Sequence, residues 1–305
     1  MRHPLRLIRL STIALPSRIP KSGYSTQASP PIKSTTLPAP HSGSIRILSL
    51  NRAEARNAIS KQLLTELRKE VESIHAESAG GRLGDTRALI LASEVDGAFC
   101  AGADLKERRG MTQDETAKFL TTLRSTFSRI STLPIPTITA LSSLALGGGL
   151  ELGLTTHFRV FASTAIVGLP ETRLAIIPGA GGTYRLPALI GLNRARDLIL
   201  TGRRVAGPEA YFLGICDRLV EVRPEDEKEK PGIARQRVLA EAVRVAGEIC
   251  EGGPVAIRAA LGAVEGCAGG EEVENSWYEK VVATEDRNEA LRAFAEKRAP
   301  VYKGR

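Results

Sequence analysis

Residues 44–50 alternate apolar and polar side chains, the period-two pattern of a strand with one buried face. After a loop over 51–57, Leu63, Leu64, Leu67 and Val71 recur at helical spacing, and Ser60 stands where a cap belongs, so 61–77 is expected to be a helix. A turn over 80–85 leads into 87–92, a short apolar run that reads as a buried strand. The stretch 97–104 is a loop of small residues. Thr112 with Glu115 fits a capping box that opens a helix to about residue 130. Further strands are expected over 136–141, 158–162 and 217–222. A helix entered through three glycines is expected over 146–154, and shorter helices over 193–200 and 208–212. Residues 167–182 read as a long irregular loop whose glycine-rich end is able to open another helix. The run 225–230 is nearly all charge and reads as an exposed linker. Everything beyond it reads helical, over 232–250, 254–266, 271–284 and 286–297. Strands alternating with helices, followed by a purely helical end, predict an α/β core over 44–223 and a helical region over 224–305.

Composition changes this picture at the N-terminus. The net charge of +8 suggests a nucleic-acid partner, but Arg2, Arg6, Arg9, Arg18 and Lys21 lie in a segment without acids, and the first acidic residue is Glu54. Taking those five charges away leaves +3 on the remainder. An Arg- and Ser-rich, acid-free leader with Leu5, Ile8 and Leu15 on one helical face has the composition of a mitochondrial transit peptide. Cleavage is expected near Tyr24, which implies a mitochondrial matrix protein. Residues 25–43, rich in Pro, Ser and Thr, read as a flexible lead-in. No apolar run reaches the roughly 18 residues of a membrane span. Cys100, Cys216, Cys250 and Cys267 are too far apart for a CxxC pair, and the four histidines are scattered, so neither a metal site nor a disulfide framework is expected.

The chemistry is carried by three segments. Gly147, Gly148 and Gly149 precede Glu151 at the start of a helix. Glycines let a ligand approach the backbone closely, and the first amides of a helix lack internal acceptors at the positive end of its dipole. Glu151 lies three residues after Gly148, on the same helical face. A phosphate loop is excluded because no GK[ST] follows, and a dinucleotide fingerprint because the spacing is not GxGxxG. The second segment, 97–108, again offers small residues beside a backbone. In the third, Pro170 stiffens the chain next to Glu171, ahead of the glycines at 179, 181 and 182.

Together, Ala101-Gly-Ala-Asp104 and the Gly147-Gly-Gly-Leu-Glu151 run resemble the enoyl-CoA hydratase/isomerase (crotonase) family, and the likeness extends over nearly all of 51–305. The resemblance implies a crotonase fold of repeated ββα units with a C-terminal helical trimerisation region, and trimers that pair into hexamers. It implies an oxyanion hole made by the amides of Ala103 and Gly148, and catalytic Glu151 and Glu171. It places Arg56, Ala58, Ala101, Asp104, Leu105, Lys106, Gly147, Pro170 and Gly179 against an acyl-CoA thioester. Coenzyme A is then part of the substrate, and no metal or other cofactor is required. The runs 99–108, 171–178 and 302–305 are most similar to a hydratase subgroup of leucine breakdown, whose acyl chain ends in a second carboxylate. Lys106, Arg108, Arg109 and Arg173 are the candidate cations for that group. Ser142-Ser143 and Thr155-Thr156-His157 depart from the family's usual residues, and His157 reads as structural.

The main alternatives within the family are a short-chain enoyl-CoA hydratase of fatty-acid oxidation and a Δ3,Δ2-enoyl-CoA isomerase. The isomerase is able to work with one glutamate, so two filled positions favour the hydratase. Outside the enzyme class, RNA binding would use the helix over 61–77. There Lys61, Arg68 and Lys69 are offset by Glu66, Glu70, Glu72 and Glu77, and phosphate neutralisation needs a net positive surface.

Overall fold

The computed structural model describes residues 29–305. The presequence expected over 1–24 lies outside the described residues, as does the start of the lead-in. In chain order the elements are β1 (Ile32–Pro38), β2 (Ser44–Leu50), α1 (Lys61–Glu77), β3 (Thr86–Ser93), β4 (Ala98–Cys100), α2 (Leu105–Arg109) and α3 (Gln113–Ser131). Then come β5 (Thr137–Leu141), β6 (Leu144–Leu146), α4 (Gly148–Gly153), β7 (Phe158–Ala162), β8 (Ile166–Gly168), α5 (Gly182–Ile190) and α6 (Leu192–Thr201). The chain closes with β9 (Arg204–Ala206), α7 (Gly207–Leu213), β10 (Arg218–Val220), α8 (Pro224–Glu229), α9 (Ile233–Cys250), α10 (Pro254–Glu265), α11 (Gly270–Val282) and α12 (Glu285–Glu296).

Two sheets organise these elements. A six-stranded sheet runs β1-β2-β3-β5-β7-β10, and a four-stranded sheet runs β4-β6-β8-β9. From β3 to β8, successive strands alternate between them. β3 and β4, β5 and β6, and β7 and β8 each place one strand in the large sheet and the next in the small one, and each pair leads into helix. These are the expected ββα units. β4, β6 and β8 are parallel, so their carboxyl ends emerge on one edge. The loops that leave that edge carry all three chemistry-bearing segments.

The core is built by the expected apolar stripes. Leu63, Leu64, Leu67, Val71 and Ile74 form the buried face of α1, and Ser60 Oγ accepts from the Leu63 amide as the cap. The Thr112–Glu115 capping box is present at the start of α3. Helix α9 packs Val238, Ala242, Val245 and Ala246 onto the large sheet against β3, β5 and β7.

Three expectations fail. The stretch 97–104, read as a loop, contains β4, which pairs with β6. The lead-in over 25–43 is not a flexible stretch throughout, because Ile32–Pro38 pairs antiparallel with Ser44–Leu50 along its whole length. Its Ser/Thr/Pro composition resembles a linker, but Ile32, Thr35 and Thr36 are β-branched and fit a sheet edge once one is available. The α/β core therefore begins before residue 44. The charged run over 225–230 contains a helix, α8, rather than an open linker. Pro224 sits at its first turn, and Glu225, Asp226 and Glu227 complement the helix dipole. Glu227 also receives the Gly232 and Ala234 amides, which fastens the run to α9.

The C-terminal helices are a different kind of structure. Helix α11 buries no residue, and Val264 and Phe294 are 70% and 86% exposed. Trp277 packs across Gly262, tying α10 to α11. The final residues fold back on Asp286, whose carboxylate accepts from the Lys303 and Gly304 amides at 2.7 Å each.

Candidate active site

The site forms where the segments after β4, β6 and β8 meet. Buried Asn57 organises the first. Its Nδ2 donates to Ser93 Oγ and to the carbonyls of Ala98 and Phe99, while its Oδ1 accepts from the Arg52 amide. Ile59 then pairs with the chain on either side of Ala103: its amide donates to Gly102 O, and its carbonyl accepts from Asp104 N. In that register the Ala103 amide points away from Ile59. Asp104 caps α2 through the Lys106 and Glu107 amides and accepts from Arg52 at 2.6 Å. Burial pushes its carboxyl up, but these bonds and the Arg52 charge outweigh that and hold it below the ordinary carboxylate value.

Gly147 links β6 to α4 at φ 52° and ψ −126°, a conformation essentially confined to glycine. Gly149 is jammed against the neighbouring strand; a Cβ there would lie 2.1 Å from Cys100 O. This close approach brings the two backbones together, and a Cβ built on Gly148 lies 3.9 Å from Ala103 N. Among the described residues neither the Ala103 nor the Gly148 amide has a hydrogen-bond acceptor. Two unspent donors therefore flank one space.

Both glutamates face the same cavity. Glu151, on α4, is 2% exposed, and its Oε1 accepts from the Ala180 and Gly182 amides at 2.8 Å each. Burial raises its pKa, opposed by those two amides and by the charges of Arg185 and Arg124. Glu171 begins a one-turn 3-10 helix, Glu171–Leu174, and is also buried. Among the described residues its Oε2 has no partner. Burial first, and then the charge of Glu151, push its pKa up to about 7. Gly147 leaves room for it, since a Cβ there would meet Glu171 Oε1 at 2.9 Å.

The cavity holds about 650 Å³ and is lined by Ala101, Ala103, Leu105, Gly147, Gly148, Glu151, Pro170, Glu171 and Gly179 among the expected residues. A second groove of about 750 Å³ is lined by Arg56, Ala58, Asp104 and Lys106, and it shares Ala101, Ala103 and Leu105 with the first. The thirteen expected positions thus divide between an inner cavity holding the carboxylates and an outer groove leading to it. Of the four candidate cations, Arg108 lines the inner cavity and Lys106 the groove, whereas Arg109 and Arg173 line neither. Three contributors escaped sequence reasoning. Asn57 carried only the signal of a polar residue in a loop, Arg124 none at all. The Ala180 and Gly182 amides were foreshadowed by a glycine run able to open a helix.

The family's own model, described as enoyl-CoA hydratase/isomerase, matches residues 41–305. The chain belongs to the enoyl-CoA hydratase/isomerase family. It is 60% identical to methylglutaconyl-CoA hydratase 1, mitochondrial, of Pyricularia oryzae, covering 90% of this chain and 87% of that protein. It is 64% identical to an enoyl-CoA isomerase/hydratase of Zymoseptoria tritici, covering 90% and 88%. Among solved structures, an enoyl-CoA hydratase from Bacillus anthracis superposes with a TM-score of 0.79 at 40% identity, covering 90% of this chain and all of that one. The crotonase fold is therefore the fold of this chain.

Of the departures from the family's usual residues, His157 and Thr156 have local accounts, and nothing in the structure explains Ser143. His157 lies between strands and C-terminal helices: its Nδ1 accepts from the Thr137 amide, and its Nε2 is 2.9 Å from Glu265 Oε1. Burial lowers its pKa, and it lines neither cavity. Thr156 Oγ1 lies 2.9 Å from the Gly153 carbonyl and 3.0 Å from that of Phe158, within reach of either for its one hydrogen. On α1, Lys61 faces Glu115 and Glu72 pairs with Arg129, so much of that helix's charge is matched by neighbours. Among the described residues no cluster of His, Cys, Asp or Glu is arranged to hold a metal, and no helix is long and apolar enough to cross a membrane.

Proposed function

We propose that the protein adds water across the α,β double bond of an enoyl-CoA thioester, with 3-methylglutaconyl-CoA of leucine breakdown as its substrate. The observation that carries this reading is two buried carboxylates facing a cavity that also receives two unpaired amides. Hydration develops negative charge on the thioester oxygen, and preorganised amides stabilise it; losing one such donor typically costs about 3 kcal/mol. The Ala103 and Gly148 amides are the donors. Glu151, oriented by two amides on one oxygen, positions and deprotonates the water that attacks Cβ. Glu171, poised near neutrality, delivers a proton to Cα. The hydroxyl on Cβ and the proton on Cα together account for the water once the proton taken up by Glu151 has passed back to Glu171 through solvent, so the step needs neither a redox partner nor a metal.

The acyl portion and pantetheine end occupy the inner cavity, and the outer groove with Arg56 and Lys106 takes the nucleotide end of coenzyme A. The Pyricularia relative's name supports the choice of acyl chain and a mitochondrial location; the acid-free leader supports the matrix. Exposed Val264, Tyr278 and Phe294 on the C-terminal helices support a trimer or hexamer. Hydration rates of 3-methylglutaconyl-CoA, 3-methylcrotonyl-CoA and crotonyl-CoA test the reading, with the first expected to give the highest kcat/KM. A double-bond shift without water addition would make the protein an isomerase.

A further inference from the structure

Resting on the hydratase reading, we propose that Arg108 and Arg124 form the specificity element that receives the distal carboxylate of a dicarboxylic acyl chain. The lining of the inner cavity is mostly apolar, with Phe119, Leu120, Leu123 and Ile177 among it, and Arg108 and Arg124 are its cationic members among the described residues. Neither is consumed by an ion pair there. Arg108 makes no side-chain hydrogen bond among the described residues and lies over the Phe119 ring at 5.7 Å. Arg124 donates its Nε to Gly179 O at 2.7 Å, which fixes the guanidinium while leaving its terminal nitrogens without a protein acceptor among the described residues.

Their neighbour Arg185 differs. Its terminal nitrogens donate to Ala180 O and Ser131 Oγ, and it does not line the cavity. Two unspent guanidinium groups beside an apolar wall suit an acyl chain with an anionic end, because a carboxylate accepts parallel bonds from the planar fork. A plain alkyl chain would gain nothing from them. They also offset the repulsion between that carboxylate and Glu151, whose charge Arg124 already feels.

The phosphates of coenzyme A are the other anions within reach of such cations, and Arg124 holds the loop that carries Ala180. A role in either would affect every enoyl-CoA alike. The informative quantity is therefore the ratio of kcat/KM for 3-methylglutaconyl-CoA to that for crotonyl-CoA. Arg124→Met and Arg108→Met are each expected to lower this ratio at least about tenfold, as for loss of a hydrogen bond to a charged group. Arg124→Lys, which retains a cation but not the fork, is expected to lower it less. A ratio unchanged in both methionine variants, with hydration intact or uniformly reduced, overturns the proposal while leaving the hydratase reading in place. A wild-type protein that hydrates neither thioester overturns the hydratase reading, and this assignment with it.

Discussion

The segment from Gly147 to the end of α4 and the segment over 169–182 each supply one glutamate, and they hold it in opposite ways. Glu151 sits on a buried helix with one oxygen tied to two amides. Glu171 sits on a one-turn helix with one oxygen unpartnered. Each segment also shapes the other's site. Gly147 leaves space for Glu171, and a Cβ on Gly182 would lie 3.1 Å from Glu151 Oε1. The difference divides the labour. Burial raises the pKa of both. The carboxylate held by two fixed amides is nevertheless suited to orient a water, whereas the one with an unpartnered oxygen and a pKa of about 7 is suited to exchange a proton near neutral pH.

The largest effect should come from probing how tightly each segment is packed. Gly149→Ala would force a Cβ to within 2.1 Å of a carbonyl oxygen, and neither the strand nor the helix is able to give way. Loss of about 3 kcal/mol or more is expected, the upper end for overpacking, read as a lowered Tm or as insoluble protein. Gly179→Ala, whose nearest contacts would be 3.8 Å or more, should leave Tm nearly unchanged. Equal losses from the two would contradict the contrast between a jammed Gly149 and an open Gly179.

Next in size is the chemistry. Glu151→Gln and Glu171→Gln should each lower hydration kcat at least about a hundredfold, the lower end of general acid–base contributions. The double variant should be little worse than either single one, because the pair acts as a unit. Both single variants should still bind the thioester, since the Ala103 and Gly148 amides remain. Nearly full activity in Glu151→Gln would refute the two-glutamate mechanism.

The smallest effect is graded and concerns pH. If Glu171 donates its proton in the hydration direction, kcat/KM should fall as pH rises through about 7, approaching about tenfold per unit. The same shift has a stability consequence. The folded value lies above the ordinary carboxyl value of 4.5, so the folded chain binds this proton more strongly than the unfolded chain. That contribution is full below 4.5 and is lost as pH rises through about 7. The Tm advantage of Glu171→Gln over wild type should therefore grow from about pH 5 to about pH 8. An advantage independent of pH would place the proton elsewhere.

Long periodic elements were legible because their physics is local. The stripe of α1, the capping box of α3 and the helices after residue 230 follow from spacing alone. The three-residue strands β4, β6, β8 and β9 were not legible, because three residues are too few to establish a period. Nor was β1, whose composition matches a linker until β2 offers it an edge.

What the sequence by itself determined is the list of parts: two acids, glycines where a backbone must turn or be approached, and motifs specific enough to name a family. It did not determine that 171 and 151 meet, because separation along a chain carries no distance in space. Tertiary structure decided that. Parallel β4, β6 and β8 deliver their carboxyl ends to one edge, so three loops distant in sequence converge. It also decided the protonation behaviour of the glutamates and which arginines face the cavity. Both depend on what surrounds a side chain: desolvation, a neighbouring charge, or a carbonyl such as Gly179 O holding Arg124 in place.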